Sequence, residues 1–400
     1  MAVTTAGVNF DMYDREIYAS PYAVYRRLRD EAPLYYNEAY KFYAVSRFDD
    51  VSRVLSERDQ FISGKGGVYN VVSAGIDMPP GLFIFEDPPG HTIHRALVSR
   101  LFTPRAVSRI EPQIRDLFSQ VTKSVSGEPR FDFMRDYAHK LPIRVIGMLL
   151  GLPESDHAQL QAVFHRNMNQ NTADTEGSAL DGIAETAVWF SEYLDWRAEH
   201  PTDDLMTQLL NLEFVDETGT TRVLRRDELV TYLTLITGAG SDTTATAIGW
   251  AASVLSDHPD QRRMLRDDPS LLGNAVEEVL RFEPPSYHIA RTVAEDVEIQ
   301  GETVPAGSII VTLPAAANRD ERHYPDGDVF DVTRTPGQTF TFSFGPHFCL
   351  GASLARLEAR IALEAMLEHF GEWTVDRDAA VMTGGIDTRG WDSLPVDIAR

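Results

Sequence analysis

Helical periodicity runs through most of this chain, and strand patterns appear only as short, scattered pieces. That combination limits the fold to a mainly α, α+β architecture, in which helices carry the core and small β-sheets sit beside it. Residues 21–31 place Tyr22, Tyr25 and Leu28 on one helical face, with Ser20 as the expected N-cap and Pro21 at the first helical position. Helices are also predicted over 227–255, 274–281 and 350–369. Residues 34–36 and 42–45 predict a hairpin, and 297–299 and 309–313 predict strands flanking the turn residues 305–307. The stretch 64–90 carries many Gly and Pro yet is dotted with Val, Ile and Phe, the composition of a loop over an apolar pocket.

A chain of 400 residues with 43% hydrophobic content can bury a large core. No repeat, low-complexity tract or Gly/Ser/Pro linker divides it, so one domain over 1–400 is expected. With 37 Lys and Arg against 60 Asp and Glu, the formal charge is −23. Such a surface repels phosphate backbones and anionic membranes, which argues against nucleic acid as a partner. Residues 1–10 lack the basic-then-apolar order of a secretory signal, and apolar runs such as 145–150 are too short to span a bilayer. The expectation is a cytoplasmic monomer without a membrane anchor.

Cys349 is the only cysteine. A lone cysteine excludes an intrachain disulfide and any multi-cysteine zinc or iron–sulfur site. It leaves an inert buried thiol, a reactive thiol or a single metal ligand, the first being the commonest fate of a free cysteine. Its setting favours ionisation, because free N–H groups and the positive dipole end of the helix predicted from Leu350 stabilise a thiolate there. Gly345 and Gly351 allow backbone shapes and close approaches that a Cβ would block.

The segment Phe342-Ser-Phe-Gly-Pro-His347-Phe-Cys349-Leu-Gly351 resembles the haem-binding signature of the cytochrome P-450 family at every constrained position. The resemblance implies that family's helical haem domain with small β-sheets, haem b as cofactor, and Cys349 as the iron ligand. Three further motifs stand in the expected order, and the segment 389–395 extends the likeness almost to the end of the chain.

Glu278 and Arg281, three apart on a predicted helix, can pair. On spacing alone this is an ordinary solvated ion pair, whereas the resemblance implies a buried pair that holds the haem loop. Family members often carry an Arg where this chain has Val329, and either Arg334 or Arg319 is a substitute for it. Ala239-Gly240-Ser241-Asp242-Thr243-Thr244 places weak helix formers in mid-helix. Alone this reads as a poor helix or a turn. The resemblance implies an opening of the helix for dioxygen, with Thr243 bonding oxygen or a water and Asp242 connecting the site to solvent protons. In Asp87-Pro-Pro-Gly-His91-Thr-Ile-His94-Arg95, His91 and Arg95 are one turn apart and can reach one anion. A helix start with an incidental basic pair is the plainer reading. The resemblance implies that His91, Arg95, Arg291 and His347 hold the haem propionates, since carboxylates buried in low dielectric require cationic partners.

The implied activity is insertion of one atom of O2 into an apolar small molecule, thiolate ligation favouring O–O cleavage. Electrons would come from a separate ferredoxin and its NAD(P)H-dependent reductase, with Arg100, Arg105 and Arg109 as a basic docking patch or as ordinary solvated charges. The expected pocket lining is Phe83, Phe85, Leu235, Ile236, Ala239, Tyr287, His288 and Ile289. The competing readings are a haem-thiolate peroxygenase or isomerase, which has no need of a proton relay to O2, and a non-catalytic haem or redox sensor.

Overall fold

The structure, a computed structural model, describes residues 7–153, 155–157, 176–335, 337–383, 385 and 387–399. Of the segment 1–10, expected not to be a secretory signal, the first six residues lie outside this set.

Seven helices frame the site: α1 (Tyr22–Glu31), α2 (Gly90–Ser99), α3 (Pro104–Val125), α4 (Lys140–Leu150), α5 (Arg226–Asp257), α6 (Leu272–Phe282) and α7 (Ala352–His369). Helix α5 has 32 residues, so at 1.5 Å per residue it runs about 48 Å through the molecule. Its start is fixed by Glu228, whose carboxylate accepts the Arg225 N–H at 2.7 Å and the Arg222 guanidinium at 2.8 Å. Helix α7 packs on α3, α5 and α6, and α4 packs on α5. The largest apolar cluster lies among these helices, from Val98 and Phe118 through Tyr232 and Leu255 to Leu363 and Met366. Ser20 does not cap α1: it ends a short helix, Arg15–Ala19, and Pro21 occupies the N-cap with no side-chain hydrogen bond.

A five-stranded sheet lies beside the helices. It consists of β1 (Leu34–Asn37), β2 (Phe42–Val45), β3 (Phe61–Ile62), β4 (Ile289–Val293) and β5 (Ile309–Thr312) in the order β1-β2-β5-β4-β3. The expected hairpin forms, with Leu34 opposite Val45. The predicted strands at 297–299 and 309–313 also form, the second ending at Thr312, but they do not pair with each other. Val297–Ile299 pairs with Glu302–Val304, and β5 instead joins β2 in parallel and β4 in antiparallel register. The cause is local: Gln300 and Gly301 both take positive φ, 53° and 80°, and close a two-residue hairpin that the 305–307 turn signal obscures.

The stretch 64–90 holds a short helix, Tyr69–Ala74, and a 3-10 turn, Phe83–Phe85. No helix among the described residues is long and apolar enough to cross a membrane.

Candidate functional site

Cys349 sits on the turn that leads into α7, two residues before Gly351 caps the helix. Its own N–H donates to the Phe342 carbonyl at 2.8 Å, closing the loop into a tight arch. Gly345 is what lets that arch form. Its φ is +70°, and a Cβ there would lie 2.8 Å from the Leu55 carbonyl oxygen and 2.9 Å from the Ser56 Cα. Gly351 differs from expectation. Its φ is −82°, and a Cβ at this position would meet no other atom within 4 Å among the described residues, so no protein contact forces glycine there.

The sulfur is accessible, yet enough protein surrounds it that burial pushes the thiol pKa up, against the N–H groups of Gly351 and Ala352 and the cations Arg95 and Arg356, which pull it down. Cys349 therefore faces an interior space, with donors placed to hold a thiolate once a positive charge approaches. Arg356 lies seven residues after the cysteine, just over one turn into α7, with its guanidinium 4.4 Å from the Phe342 ring centre and paired to Glu277. Sequence reasoning misses it, although a basic residue early in the helix predicted after Cys349 is a signal that could have found it.

Four basic side chains gather beside this sulfur. His91 is 4% exposed and its ring centre is 4.2 Å from that of His347, and the His91 Nε2 is buried with no hydrogen-bond partner. Burial, then the neighbouring Arg291, His91 and Arg95, hold His347 down to about 3. Arg95 donates to the Phe348 carbonyl, and burial lowers its pKa while Cys349 opposes that shift. Arg291 is 3% exposed, donates to the Ala290 carbonyl at 2.8 Å, and is pushed down to about 10 by burial. Among the described residues none of the four is ion-paired. The nearby carboxylate, Asp87, is bonded by the N–H groups of Ser63 and Gly64, each at 2.8 Å. Arg291 is a buried cation without a counter-ion among the described residues, which is costly, so the cluster is built to receive an anionic group. A porphyrin bearing two carboxylates fits this donor set, and Cys349 would hold its metal.

Helix α5 packs against α7, the helix that follows Cys349. It is helical throughout from Arg226 to Asp257, so the plainer reading of 239–244 as a turn does not hold. The Thr243 hydroxyl instead bonds back to the Ala239 carbonyl at 2.8 Å within a continuous helix. Gly240 has a packing reason: a Cβ would come within 2.9 Å of Ile146 Cδ1 on α4. Ala239 is exposed although it lies mid-helix, and Asp242 and Thr243 are half-buried.

Behind the loop, Glu278 and Arg281 are both fully buried and joined by two 2.7 Å bonds. Arg281 also donates to the carbonyls of Asn318 (2.8 Å) and Gly327 (2.7 Å). Arg334 reaches Glu278 at 3.3 Å, whereas Arg319 pairs with Glu283. The choice left open by Val329 thus falls to Arg334.

The expected pocket residues divide. Ala239 is exposed, and Phe85 and Ile289 are half-buried, with Phe85 lying against Gly67. Leu235 and Ile236 keep only 8% and 6% of their surface. Phe83, Tyr287 and His288 are engaged elsewhere. Phe83 packs on Tyr232, Tyr287 on Tyr18, and the His288 Nε2 accepts the Tyr69 N–H at 3.0 Å. Aromatic residues beside a pocket motif look like lining in the sequence, but each of these has a partner that only the tertiary structure supplies.

A family model for cytochrome P450 matches residues 154–383. Cytochrome P450 130 of Mycobacterium tuberculosis is 35% identical over 398 residues, covering 96% of this chain and 97% of that protein. Vitamin D(3) 25-hydroxylase of Pseudonocardia autotrophica is 33% identical over 410 residues, covering 99% and 98%. Among solved structures, a mutant of P450 EryK in complex with erythromycin B has a TM-score of 0.87 at 31% identity, covering 97% of this chain and 98% of its own. CYP109E1 from Bacillus megaterium in complex with testosterone also has a TM-score of 0.87, at 26% identity, covering 97% and 100%.

Proposed function

The chain belongs to the cytochrome P450 family and is a haem b monooxygenase, and we propose that Cys349 ligates its iron while Thr243 and Asp242 handle the protons of the reaction. The observation that carries this reading is the Cys349 sulfur, facing two backbone N–H groups at the mouth of α7 and flanked by four basic side chains without ion pairs among the described residues. The whole chain, 1–400, then serves as one haem domain.

When bound, haem supplies O2 activation: O2, two electrons and two protons give one water and one oxygen atom inserted into a substrate C–H bond. The protein's own part is positioning and charge. Gly351 and Ala352 N–H groups with Arg95 and Arg356 hold Cys349 as thiolate. His91, Arg95, Arg291 and His347 bind the propionates, and Glu278, Arg281 and Arg334 fix the loop from behind. Phe342, over the Arg356 guanidinium, packs the ligand loop against the core. Thr243 donates its hydroxyl hydrogen to Ala239, which leaves the oxygen lone pairs free to accept from a water delivered past Asp242. Thr243→Ala is expected to keep haem and fold while lowering product formed per NAD(P)H by about tenfold. Parallel assay of product and cofactor consumption measures this, and unchanged coupling removes Thr243 from the relay.

The substrate in this reading is a bulky, largely apolar small molecule. The exposed Ala239 and half-buried Phe85 and Ile289 support it, as do similar structures that hold erythromycin B and testosterone. The family requires a redox partner, and the reading makes it a ferredoxin with an NAD(P)H-dependent reductase. Arg100, Arg105 and Arg109 are all exposed and make no ion pair among the described residues, as a docking patch on a chain of charge −23 would require. Arg100→Glu is expected to slow the first electron transfer by about tenfold at low salt, with the difference shrinking as salt rises. Stopped-flow reduction with a ferredoxin tests it, and an unchanged rate discards the patch. The same strong negative charge supports a dissolved monomer, and the reading places it in the cytoplasm beside its redox partner.

The deciding experiment combines the reduced, CO-bound absorption spectrum with turnover under 18O2. A thiolate-type band and one labelled oxygen per product are expected. Turnover that runs on peroxide alone and never on reductase would select the peroxygenase reading.

A further inference from the structure

One motif residue is not absorbed by the haem site. His94 lies on α2 between His91 and Arg95, is 4% exposed, and turns its Nδ1 to Glu86, at 2.9 and 2.7 Å from the two carboxylate oxygens. A carboxylate only accepts, so Nδ1 carries the hydrogen. The same Glu86 carboxylate accepts the Gly81 N–H at 2.7 Å. Glu86 thus closes residues 81–86 into a ring and anchors that ring to α2.

A third element is locked to the same point. Tyr232 of α5 donates its hydroxyl to the His94 carbonyl at 3.0 Å. Gly81, at φ +95°, lies flat on the Tyr232 ring, where a Cβ would meet Cε2 at 3.3 Å. Phe83 packs on that ring too, with centroids 5.8 Å apart. Beyond the clamp the segment presents exposed Ile84 and half-buried Phe85, and Phe85 presses on Gly67, whose carbonyl accepts the Ala290 N–H at 2.9 Å. Ala290 adjoins Arg291 in β4.

We infer that Glu86 and His94 are a positioning pair which fixes the 81–86 segment between α2 and α5 and so sets the enzyme's affinity for bulky apolar ligands. The inference rests on the haem monooxygenase reading for the location of the pocket. Neither residue touches the reacting atoms. Both act through Ile84 and Phe85, and a charge-assisted bond buried this far is the kind that holds a loop in one place.

The test uses the purified haem protein and two iron-binding probes, imidazole, which is small, and clotrimazole, which is bulky and apolar, each titrated by its spectral shift. In Glu86→Ala and His94→Phe, clotrimazole is expected to bind about tenfold more weakly while imidazole changes less than about twofold. Glu86→Gln and His94→Asn, which keep an acceptor and a donor in place, are expected to stay within about threefold of the parent for both probes. Equal changes for the two probes in both disrupted proteins overturn the inference. Should either disrupted protein fail to hold haem, hydrogen exchange of the parent decides: the Gly81 amide is expected to exchange at least about tenfold more slowly than an unbonded amide, and an unprotected Gly81 overturns it. The parent's reduced-CO spectrum separates the two failures, because a lost thiolate band sinks the haem reading whereas an intact band with unchanged probe selectivity sinks only the clamp.

Discussion

A Cys349→Ser protein is expected to fold, to lose the thiolate band of its reduced-CO spectrum, and to fall in turnover by about a thousandfold or more, equivalent to ~4 kcal/mol on the barrier. The fold should survive because what closes the ligand loop is backbone: the residue-349 N–H on the Phe342 carbonyl, the positive φ of Gly345, and the Gly351 cap. Serine alters none of these. What changes is ionisation. A free thiol titrates near ~8.5, and although burial pushes Cys349 up, the Gly351 and Ala352 N–H groups and the Arg95 and Arg356 cations oppose that push. A bound iron would complete the ionisation. A serine hydroxyl starts so much higher that the same donors leave it protonated, and the electron density that favours O–O cleavage is absent. The check is the reduced-CO spectrum alongside a melting curve. A retained band with normal turnover would mean that another group ligates the iron.

The Cys349 arch is legible in the sequence because its constraints are local. Gly345, the cysteine and the helix that follows lie within a few residues, so one short motif fixes the geometry. The Glu278–Arg281 pair is legible as spacing, and its burial as resemblance. The pocket is not. Phe83, Tyr287 and His288 stand beside pocket motifs in the chain, yet Tyr232, Tyr18 and the Tyr69 N–H claim them from elements far away in sequence. The hairpin at 300–301 is hidden for a different reason, since Gln-Gly is a weaker turn signal than the Pro-Ala-Gly that follows it. The continuous α5 shows the same limit. Weak helix formers at 239–244 suggest a turn, but Gly240 is offset by close packing on Ile146, and the Thr243 hydroxyl is bonded inside the helix. Sequence reports propensity, and tertiary contact decides whether a weak stretch breaks the helix.

Glu278→Ala is expected to destabilise the protein by about 3–5 kcal/mol, because it leaves the Arg281 guanidinium charged and buried without its counter-ion. For a chain of this length that is a melting decrease of about 4–6 °C. Haem retention should fall with it, for a structural reason that can be traced atom by atom. Arg281 holds the Asn318 carbonyl at 2.8 Å, the Asn318 side chain accepts the Phe340 N–H at 2.8 Å and donates to Thr341 at 3.0 Å, and the loop runs on from there to Cys349. Arg334→Ala should cost less, about 1–2 kcal/mol, because Arg334 is only partly buried and its contact with Glu278 is longer, at 3.3 Å. Replacing Glu278 and Arg281 together by apolar residues of similar volume should recover part of the stability lost in Glu278→Ala, since no charge is then stranded, but not the haem affinity, since the carbonyls of Asn318 and Gly327 lose their donor. Calorimetry and haem titration on the three variants measure both quantities. Equal losses from Glu278→Ala and Arg334→Ala would place the weight of the network on the wrong partner, and full haem affinity in the double variant would show that the loop is held by something other than this buried pair.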